Sequence, residues 1–409
     1  MSSPAGSVAA LDVDRAIVGR TTSLFAADVA ANRDRIEQQL AGRRVLVVGG
    51  GGSIGSMTTR LLLDYGPRAV HVIDQSENYL ADLVRDLRSG KGVDAAIDLR
   101  MWPIDYGGPI ARRLLEDEAP YDIVLNFAAL KHVRSEKDIY SLLQMLDTNI
   151  VRQARFKEWV AARTGCSRYF GVSTDKAANP TSLMGATKRL MEDVLFGIGS
   201  ADTTTVTSAR FANVAFSNGS LLQAWLRRLQ LQQPLAVPRD TRRYFVTQQE
   251  AGELCLLASV LGRSGEIFIP RLDPVSELRL LESLAEQVLA LHGLEAVRFD
   301  DETQARQSVP SLRAQGRWPL LLTPLDTTGE KPYEEFVGRG EHSHEVGLSN
   351  LLSVRHASAP VSGQLIARLA HLVACTEQGT SKADIVAAIM AVIPNFQHVE
   401  TGKSLDQRM

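Results

Sequence analysis

The sequence has few cysteines, almost no net charge and no long apolar segment. Its three cysteines lie far apart and match neither a metal-binding spacing nor a disulfide framework, so we expect free thiols in a reducing compartment. A formal net charge of −2 produces no overall field that attracts nucleic acid or anionic lipid. No uncharged run reaches the roughly 18 apolar residues of a membrane span, and Asp12 and Asp14 stand where a signal peptide would be basic and then apolar. We therefore expect a cytoplasmic protein without nucleic-acid or membrane partners.

The remaining composition is that of a globular protein. A chain of 409 residues is long for one compact domain and predicts a core domain with attached lobes. We expect an N-terminal extension over residues 1–40, a core domain over 41–269, and a smaller lobe with C-terminal helices over 270–409. Residues 213–242 of the core domain are expected to contribute to a substrate site.

Short apolar runs alternate with helical patterns from Arg43 to Ala212. Repeated strand–helix units of this size predict an α/β fold with a Rossmann-type doubly wound parallel sheet. The predicted strands are 44–48, 69–73, 99–104, 123–127, 168–172 and 204–212. The predicted helices are 27–40, 54–63, 79–87, 110–116, 140–162 and 183–196. Beyond them we predict a helix at 249–261, a strand at 266–269, an irregular lobe at 305–340, and two C-terminal helices at 361–374 and 382–392.

A glycine-rich turn connects the strand 44–48 to the helix that follows it. Gly49, Gly52 and Gly55 have the spacing G-x-x-G-x-x-G, a variant of the dinucleotide-binding fingerprint G-x-G-x-x-G. Glycine permits the tight turn and lets backbone N–H groups approach a pyrophosphate at the helix N-terminus, beside Ser53 and Ile54. A structural loop is the alternative, but the strand before the turn and the helix after it favour a nicotinamide dinucleotide site.

An acidic residue, Asp74, ends the second predicted strand about 20 residues further on, the separation typical of the ribose-binding acid. Such an acid suits the adenosine 2′-hydroxyl of NAD, and no basic residue directly follows the strand to serve the 2′-phosphate of NADP. The position favours NAD over NADP, with a helix N-cap as the structural alternative. Asp105, Ala128 and Ala129 follow the next two strands and complete the predicted cofactor site.

The predicted strand 168–172 leads into the most reactive group of side chains. Ligands of open α/β sheets bind at the carboxyl ends of the strands, so the polar segment after residue 172 should face the cofactor. Residues 184 and 188 are four apart and share one helix face. Thr174, Asp175 and Lys176 lie in that segment, and Met184 and Lys188 lie on that helix face.

These motifs resemble those of extended short-chain dehydrogenases/reductases. More narrowly, four motifs are similar to the polysaccharide-biosynthesis branch typified by bacterial UDP-N-acetylglucosamine 4,6-dehydratases. They are Asn126-Phe-Ala-Ala-Leu-Lys-His-Val133, Ser173-Thr-Asp-Lys-Ala177, Arg210-Phe-Ala-Asn213 and Gly329-Glu-Lys-Pro-Tyr-Glu-Glu335. The resemblance extends from about Gly19 to Val392. Long members of the branch carry membrane helices ahead of this region, whereas this chain is similar to the soluble form.

The resemblance implies a lyase that uses NAD as a recycled hydride store. Carbon 4 of the sugar would be oxidised, water eliminated across carbons 5 and 6, and the hydride returned to carbon 6. Asp175 would act as the general acid and Lys176 as the base, while Lys188 would hold the nicotinamide ribose. The tyrosine of the Tyr-x-x-x-Lys pair is replaced by Met184, whose thioether cannot titrate. Asp175, Lys176 or a water held by Thr174 would then accept the proton of the sugar hydroxyl.

Other residues are predicted to bind the nucleotide-sugar substrate. They are Lys131, His132, Asn213, Ser217, Ser220, Arg243 and Glu330. Arginine suits a diphosphate through its bidentate fork, although a surface ion pair would also explain Arg243. Lys131 and His132 have an equally good structural interpretation at a helix start, and no residue at suitable spacing makes His132 a metal ligand. We expect no metal site.

Two other functions fit the same scaffold. A nucleotide-sugar 4-epimerase would oxidise and reduce one carbon without elimination, and the Asp175–Lys176 pair beside Met184 argues against it. A non-catalytic NAD-binding regulator would not need those side chains. We also expect self-association, which is common among soluble enzymes, with the C-terminal amphipathic helices as contact surfaces.

Overall fold

A computed structural model describes residues 10–90, 92–131, 136, 138–163, 165–198, 203–326, 331, 333–356, 363–374, 381–393, 396 and 398. Two of the predicted substrate-binding residues, His132 and Glu330, lie outside the described residues. The third cysteine of the chain, Cys375, also lies outside them.

Helices and strands alternate through the first half of the chain. The elements are α1 (Ala10–Val18), α2 (Ala26–Ala31), α3 (Arg33–Leu40), β1 (Arg44–Val48), α4 (Ser53–Leu63), β2 (Ala69–Ile73), α5 (Glu77–Ser89), β3 (Asp98–Trp102), α6 (Pro109–Asp117), β4 (Ile123–Asn126), α7 (Ile139–Leu146), α8 (Arg152–Ala161), β5 (Arg168–Val172), α9 (Leu183–Gly197) and β6 (Thr205–Ala209). A π-helical stretch, Asp147–Val151, joins α7 to α8, and a 3-10 turn, Asp175–Ala177, follows β5.

Shorter strands and six helices make up the described part of the second half. The elements are β7 (Asn213–Val214), α10 (Leu221–Gln230), β8 (Leu235–Pro238), β9 (Arg242–Arg243), β10 (Phe245–Val246), α11 (Gln248–Leu261), β11 (Glu266–Pro270), β12 (Arg279–Leu280), α12 (Leu281–Leu291), β13 (Glu295–Phe299), α13 (Glu302–Arg313), β14 (Arg317–Thr323), β15 (Ser343–Glu345), β16 (Leu351–Arg355), α14 (Gly363–Ala374) and α15 (Lys382–Met390).

The main sheet has the strand order β15-β16-β11-β6-β5-β4-β1-β2-β3. Strands β3, β2, β1, β4, β5, β6 and β11 run parallel, and β16 and β15 are added antiparallel at one edge. The order 3-2-1-4-5-6 is that of a Rossmann sheet, whose ligands bind where the order reverses, beside β1 and β4. The predicted doubly wound parallel fold is confirmed.

Both faces of this sheet are covered. Every residue of β1 and of β2 is buried, which explains why these strands are continuous apolar runs rather than alternating patterns. One face packs with α3, α4 and α11 in a single apolar core, and the other face packs with α8 and α9. The carboxyl ends of the strands are thereby held rigidly for the groups that follow them.

A second, three-stranded parallel sheet forms the smaller lobe, in the order β13-β14-β8. The side chain of Trp225 in α10 is fully buried there, and its indole Nε1 donates to the carbonyl of Ala236 at 3.0 Å. The predicted irregular lobe at 305–340 is wrong in its first half, since α13 and β14 occupy residues 302–323. The apolar run of β14 forms a strand because β8, about 80 residues earlier, pairs with it.

The N-terminal segment packs on both the smaller lobe and the main domain, and the described C-terminal elements join the main domain. Helix α1 packs Val13 and Ile17 into the core of the smaller lobe, whereas α3 packs on α11 of the main domain. The predicted helix 27–40 is two helices, separated at Asn32. Within 270–409, β15 and β16 belong to the main sheet, and α14 and α15 pack on α7 and α9. No helix among the described ranges is long and apolar enough to span a bilayer.

Candidate active site at the carboxyl edge of the sheet

The glycine turn between β1 and α4 is closely packed. Gly49 has a φ of +72°, a left-handed conformation that favours glycine. A Cβ at Gly49 would lie 2.8 Å from the Ala128 backbone nitrogen, and a Cβ at Gly55 would lie 2.4 Å from the Gly49 oxygen. Gly52, by contrast, has no neighbour closer than 3.5 Å to a Cβ. The packing of the protein itself therefore requires glycine at 49 and 55 but not at 52.

Two further glycines of this turn were missed by the spacing argument. A Cβ at Gly50 would lie 2.4 Å from Val72 Cγ1, and one at Gly51 would lie 2.7 Å from Tyr79 Cβ. Both constraints come from β2 and α5, which are adjacent to the turn only in the folded chain.

Asp74 lies directly beside the glycine turn at the end of β2. Its Oδ2 accepts a hydrogen bond from the Gly51 backbone nitrogen at 3.0 Å, and its Oδ1 accepts one from the Ser76 nitrogen at 2.9 Å. The N-cap of α5 is Ser76, whose hydroxyl accepts from the Tyr79 nitrogen. The alternative interpretation of Asp74 as a helix N-cap is therefore wrong, and its carboxylate is held at the edge of the turn.

The other predicted cofactor residues surround the same turn. Ser53 Oγ accepts from the Asn218 backbone nitrogen at 2.9 Å, and Ile54 packs into the main core. Ala128 and Ala129 leave β4 beside Gly49, with the Ala128 nitrogen donating to Asn126 Oδ1 at 3.0 Å. Asp105, after β3, forms an ion pair with Arg152.

The catalytic candidates Asp175 and Lys176 form an ion pair in the 3-10 turn after β5, in which Asp175 is buried and Lys176 is partly exposed. The Asp175 side chain is only 2% exposed, and its Oδ1 accepts from Thr174 Oγ1 at 2.7 Å and from Lys176 Nζ at 3.1 Å. A third group, Glu334, places its Oε1 3.8 Å from Lys176 Nζ. Lys176 therefore lies between two carboxylates that are 159 residues apart in sequence.

Burial and neighbouring charges both shift the pKa values of Lys176 and Glu334. Burial lowers the pKa of Lys176, but the carboxylates of Asp175 and Glu334 raise it by more, so its pKa lies above the usual value. Burial raises the pKa of Glu334, and the charge of Asp175 adds to that, against the cations of Lys176, Arg243 and Lys331. Lys176 in the unliganded protein is therefore an ammonium group.

Met184 and Lys188 line the first turns of α9. Met184 is 2% exposed, and its backbone nitrogen donates to the buried carboxylate of Glu136 at 2.8 Å. Lys188 Nζ donates to the Val172 carbonyl at 3.0 Å and lies 3.0 Å from Met191 Sδ. Burial lowers the pKa of Lys188 to about 8. The lysine therefore ties α9 to the end of β5, directly below the Asp175–Lys176 turn.

The predicted helix 140–162 is interrupted at the point where it faces the site. The π-helical stretch turns the buried Asn149 side chain toward the segment after β4. Asn149 Oδ1 accepts from the Leu130 nitrogen at 2.8 Å, and its Nδ2 donates to the Leu130 oxygen at 2.9 Å and to Thr187 Oγ1 at 3.2 Å. Such π-bulges occur frequently at functional sites. This residue fixes the course of the chain toward the exposed Lys131.

The predicted substrate residues after β6 pack against the cofactor turn. Asn213 Nδ2 donates to the Tyr244 oxygen at 3.3 Å, and Ser217 is buried. Ser220 is the N-cap of α10, where its hydroxyl accepts from the Gln223 nitrogen. The contact between Asn218 and Ser53 described above places this loop against the N-terminus of α4.

Arg243, in β9, is electrostatically linked to the group formed by Asp175, Lys176 and Glu334. Its guanidinium donates to the Arg242 oxygen at 2.8 Å, and its charge lowers the pKa of both Lys176 and Glu334. Among the described residues, no three His, Cys, Asp or Glu side chains lie together as a metal site would require.

A buried ionic network holds the segment that carries Glu334. Arg210, fully buried after β6, donates from Nε and Nη2 to the two oxygens of Glu192 at 2.8 and 2.7 Å. It also donates to both oxygens of Glu341, at 2.6 and 2.9 Å, and to the Phe336 carbonyl at 3.0 Å. Burial raises the pKa of Glu341, but Arg210 lowers it by more, to about 2. The Arg210-Phe-Ala-Asn213 motif thus contributes a structural clamp.

Comparison with known proteins places this site in a family. Residues 45–356 match the model of a family described as polysaccharide biosynthesis protein. The probable polysaccharide biosynthesis protein EpsC of Bacillus subtilis is 26% identical over 332 residues, which are 76% of this chain but only 55% of EpsC. A UDP-N-acetylglucosamine 4,6-dehydratase (inverting) of Campylobacter jejuni is 28% identical over 251 residues, 59% of this chain and 71% of that protein. This chain thus spans little more than half the length of EpsC.

The fold is shared with a solved structure. Pen from Bacillus thuringiensis superposes with a TM-score of 0.63 at 23% identity, covering 79% of this chain and 91% of that one. The family match covers β1 through β16, and all the described candidate residues lie within it. The chain therefore belongs to the polysaccharide-biosynthesis branch of the extended short-chain dehydrogenases/reductases.

Proposed function

We propose that this protein is an NAD-dependent nucleotide-sugar 4,6-dehydratase acting on UDP-N-acetylglucosamine. The observation that carries the proposal is the Asp175–Lys176 pair at the carboxyl end of β5, beside a methionine in place of tyrosine. A 4-epimerase needs no separate acid and base for elimination, whereas a dehydratase does. The similarity to the Campylobacter dehydratase supports the same reaction.

The described residues fit a nicotinamide dinucleotide. Gly52, where a Cβ would have no neighbour closer than 3.5 Å, is the N-cap of α4, and backbone N–H groups and the helix dipole at this end suit a pyrophosphate. Asp74 would accept from the adenosine ribose, and its negative charge would repel a 2′-phosphate, which favours NAD over NADP. Lys188 would hold the nicotinamide ribose. Bound NAD would supply the reversible hydride acceptor that this reaction requires.

The proton balance of the pair suits elimination. Transfer of one proton across the 3.1 Å hydrogen bond from Lys176 to Asp175 converts the ion pair into a neutral amine and a carboxylic acid. The amine then removes the proton from carbon 5, and the acid gives its proton to the carbon 6 hydroxyl, which leaves as water. The pair ends as the ion pair from which it began, so no external proton is needed.

The substrate would lie between the two lobes. The charge of Arg243, in β9, acts on Lys176 and Glu334, and the loop containing Asn213, Ser217 and Ser220 borders the glycine turn. Arginine and the N-terminus of α10 suit the diphosphate of the nucleotide.

The test is the mass of the product formed from UDP-N-acetylglucosamine. Loss of one water supports the dehydratase, and an isomer of unchanged mass would instead support a 4-epimerase. Lys176→Ala and Lys176→Arg should both lose dehydration while still binding NAD, since the arginine keeps the charge but cannot act as a base. Full activity of Lys176→Arg would contradict the assignment of Lys176 as the base.

A further inference from the structure

Glu334 is a buried carboxylate at the centre of the candidate site to which the mechanism above gives no role. Its side chain is 7% exposed, with Oε1 3.8 Å from Lys176 Nζ and Oε2 3.8 Å from Lys331 Nζ. It is nevertheless not part of the turn that carries the acid and the base. A charge at this distance in a buried site acts strongly on the protonation of its neighbours.

The position of Glu334 is fixed by contacts on both sides of it in sequence. On one side, Lys331 Nζ donates to the Asn179 carbonyl. On the other, Asn179 Nδ2 donates to Glu335 Oε2 at 2.8 Å, and the Arg339 nitrogen donates to Asn179 Oδ1 at 2.9 Å. Asn179 follows the Asp175–Ala177 turn by two residues. The turn and the Glu334 segment are therefore built as one unit, with the Arg210 network as a second anchor.

Both negatively and positively charged side chains act on Lys176. Two carboxylates, Asp175 and Glu334, contact the ammonium group, and Arg243 opposes them. Glu334 in turn faces Lys176, Lys331 and Arg243 as cations and Asp175 as an anion. Asp175 must receive and release a proton during elimination, so it is neutral for part of the reaction. During that part its charge does not stabilise the ammonium form of Lys176. Glu334 is the remaining anion that acts on the lysine proton.

We propose that Glu334 is a positioning residue that retains the shared proton of the Asp175–Lys176 pair. This inference rests on the proposed function for its consequence in catalysis, but not for its effect on Lys176. With Glu334 ionised, the pair keeps one proton up to a higher pH, and the acid required for loss of water remains available. Without it, the pair loses that proton at a lower pH and elimination fails there.

The direct test measures the proton affinity of Lys176 without any turnover. The full-length protein is labelled with acetic anhydride across a pH series, and the acetylated fraction of Lys176 is read by mass spectrometry. We expect Glu334→Gln to lower the pH midpoint of labelling by about one unit or more, as removal of an adjacent opposite charge does. Glu335→Gln is the matched control, because its carboxylate contacts Asn179 and not Lys176, and its midpoint should stay at the wild-type value.

A second variant separates charge from folding. Glu334→Asp keeps the negative charge on a shorter side chain, so its midpoint should lie between those of the wild type and Glu334→Gln. The alkaline limit of dehydration should fall in Glu334→Gln by the same shift. Equal labelling midpoints in the wild type and in folded Glu334→Gln would overturn the inference. A shifted midpoint in a protein that dehydrates no nucleotide sugar would refute the proposed function while leaving the role of Glu334 supported.

Discussion

Replacing Arg210 should destabilise the protein more than replacing any exposed arginine. In Arg210→Met, the carboxylate of Glu192, 1% exposed, loses both of its hydrogen bonds from Arg210 and keeps Ser173 Oγ at 2.6 Å and the ion pair with Arg189 at 3.7 Å. Glu341 is affected less, because it retains Arg189 and the Gly338 nitrogen. Breaking a buried ion pair on one side costs about 3–5 kcal/mol, and we expect about 3 kcal/mol at pH 7.

The destabilisation should also depend on pH in a definite direction. The pKa of Glu341 in the folded protein, about 2, is below its usual value of 4.5, and that of Glu192 is lowered as well, because Arg210 outweighs the effect of burial. A lowered carboxyl pKa stabilises the folded state above the usual pKa, and the contribution is lost as pH falls toward the folded value. The difference between the wild type and Arg210→Met should therefore shrink between pH 4.5 and pH 2.

Urea unfolding followed by tryptophan fluorescence, at pH 7 and at pH 3, measures both effects. The matched control is Arg298→Met, whose side chain is 56% exposed and pairs with Glu286 at 2.8 Å; it should change the free energy of unfolding by less than about 1 kcal/mol. A loss below about 1 kcal/mol in Arg210→Met at pH 7, or an equal loss at both pH values, would refute the reasoning.

Three other substitutions test the remaining parts of the site. Asp74→Asn keeps the shape of the side chain but removes its charge, so it should weaken the binding of NAD relative to that of NADP by about tenfold. The ratio of the two Kd values measures this effect, and an unchanged ratio would contradict the assignment of Asp74 to the adenosine ribose. Gly55→Ala should lower the free energy of unfolding by about 1–3 kcal/mol, because its Cβ meets the Gly49 oxygen. Gly52→Ala is the control and should leave the free energy of unfolding unchanged. Urea titrations without NAD measure both variants. Asn149→Ala should cost about 1–3 kcal/mol in the same titration, because two backbone groups after β4 lose their partner, and wild-type stability would show that water replaces the amide.

Local patterns were sufficient for the elements around the cofactor turn. The strands 44–48, 69–73 and 168–172 were predicted with the observed bounds, because each is a short apolar run between glycine or polar residues and is buried on both faces. Predictions failed where a segment depends on a distant partner. The irregular lobe predicted over 305–340 was wrong at β14, because this strand forms only through pairing with β8 and β13. Likewise, β16 belongs to the main sheet because β11 lies beside it.

In the candidate site, too, local sequence predicted some features and the fold decided the others. Sequence alone determined the Rossmann-type fold, the glycine turn and the Asp175–Lys176 pair, because these depend on backbone geometry and on residues that are neighbours in the chain. Only the tertiary structure decided that Glu334 contacts Lys176, that Arg210 clamps Glu341, and that the π-helical stretch directs Asn149 inward. Those contacts join residues far apart in sequence, and their energies arise from burial and charge, which no local pattern records.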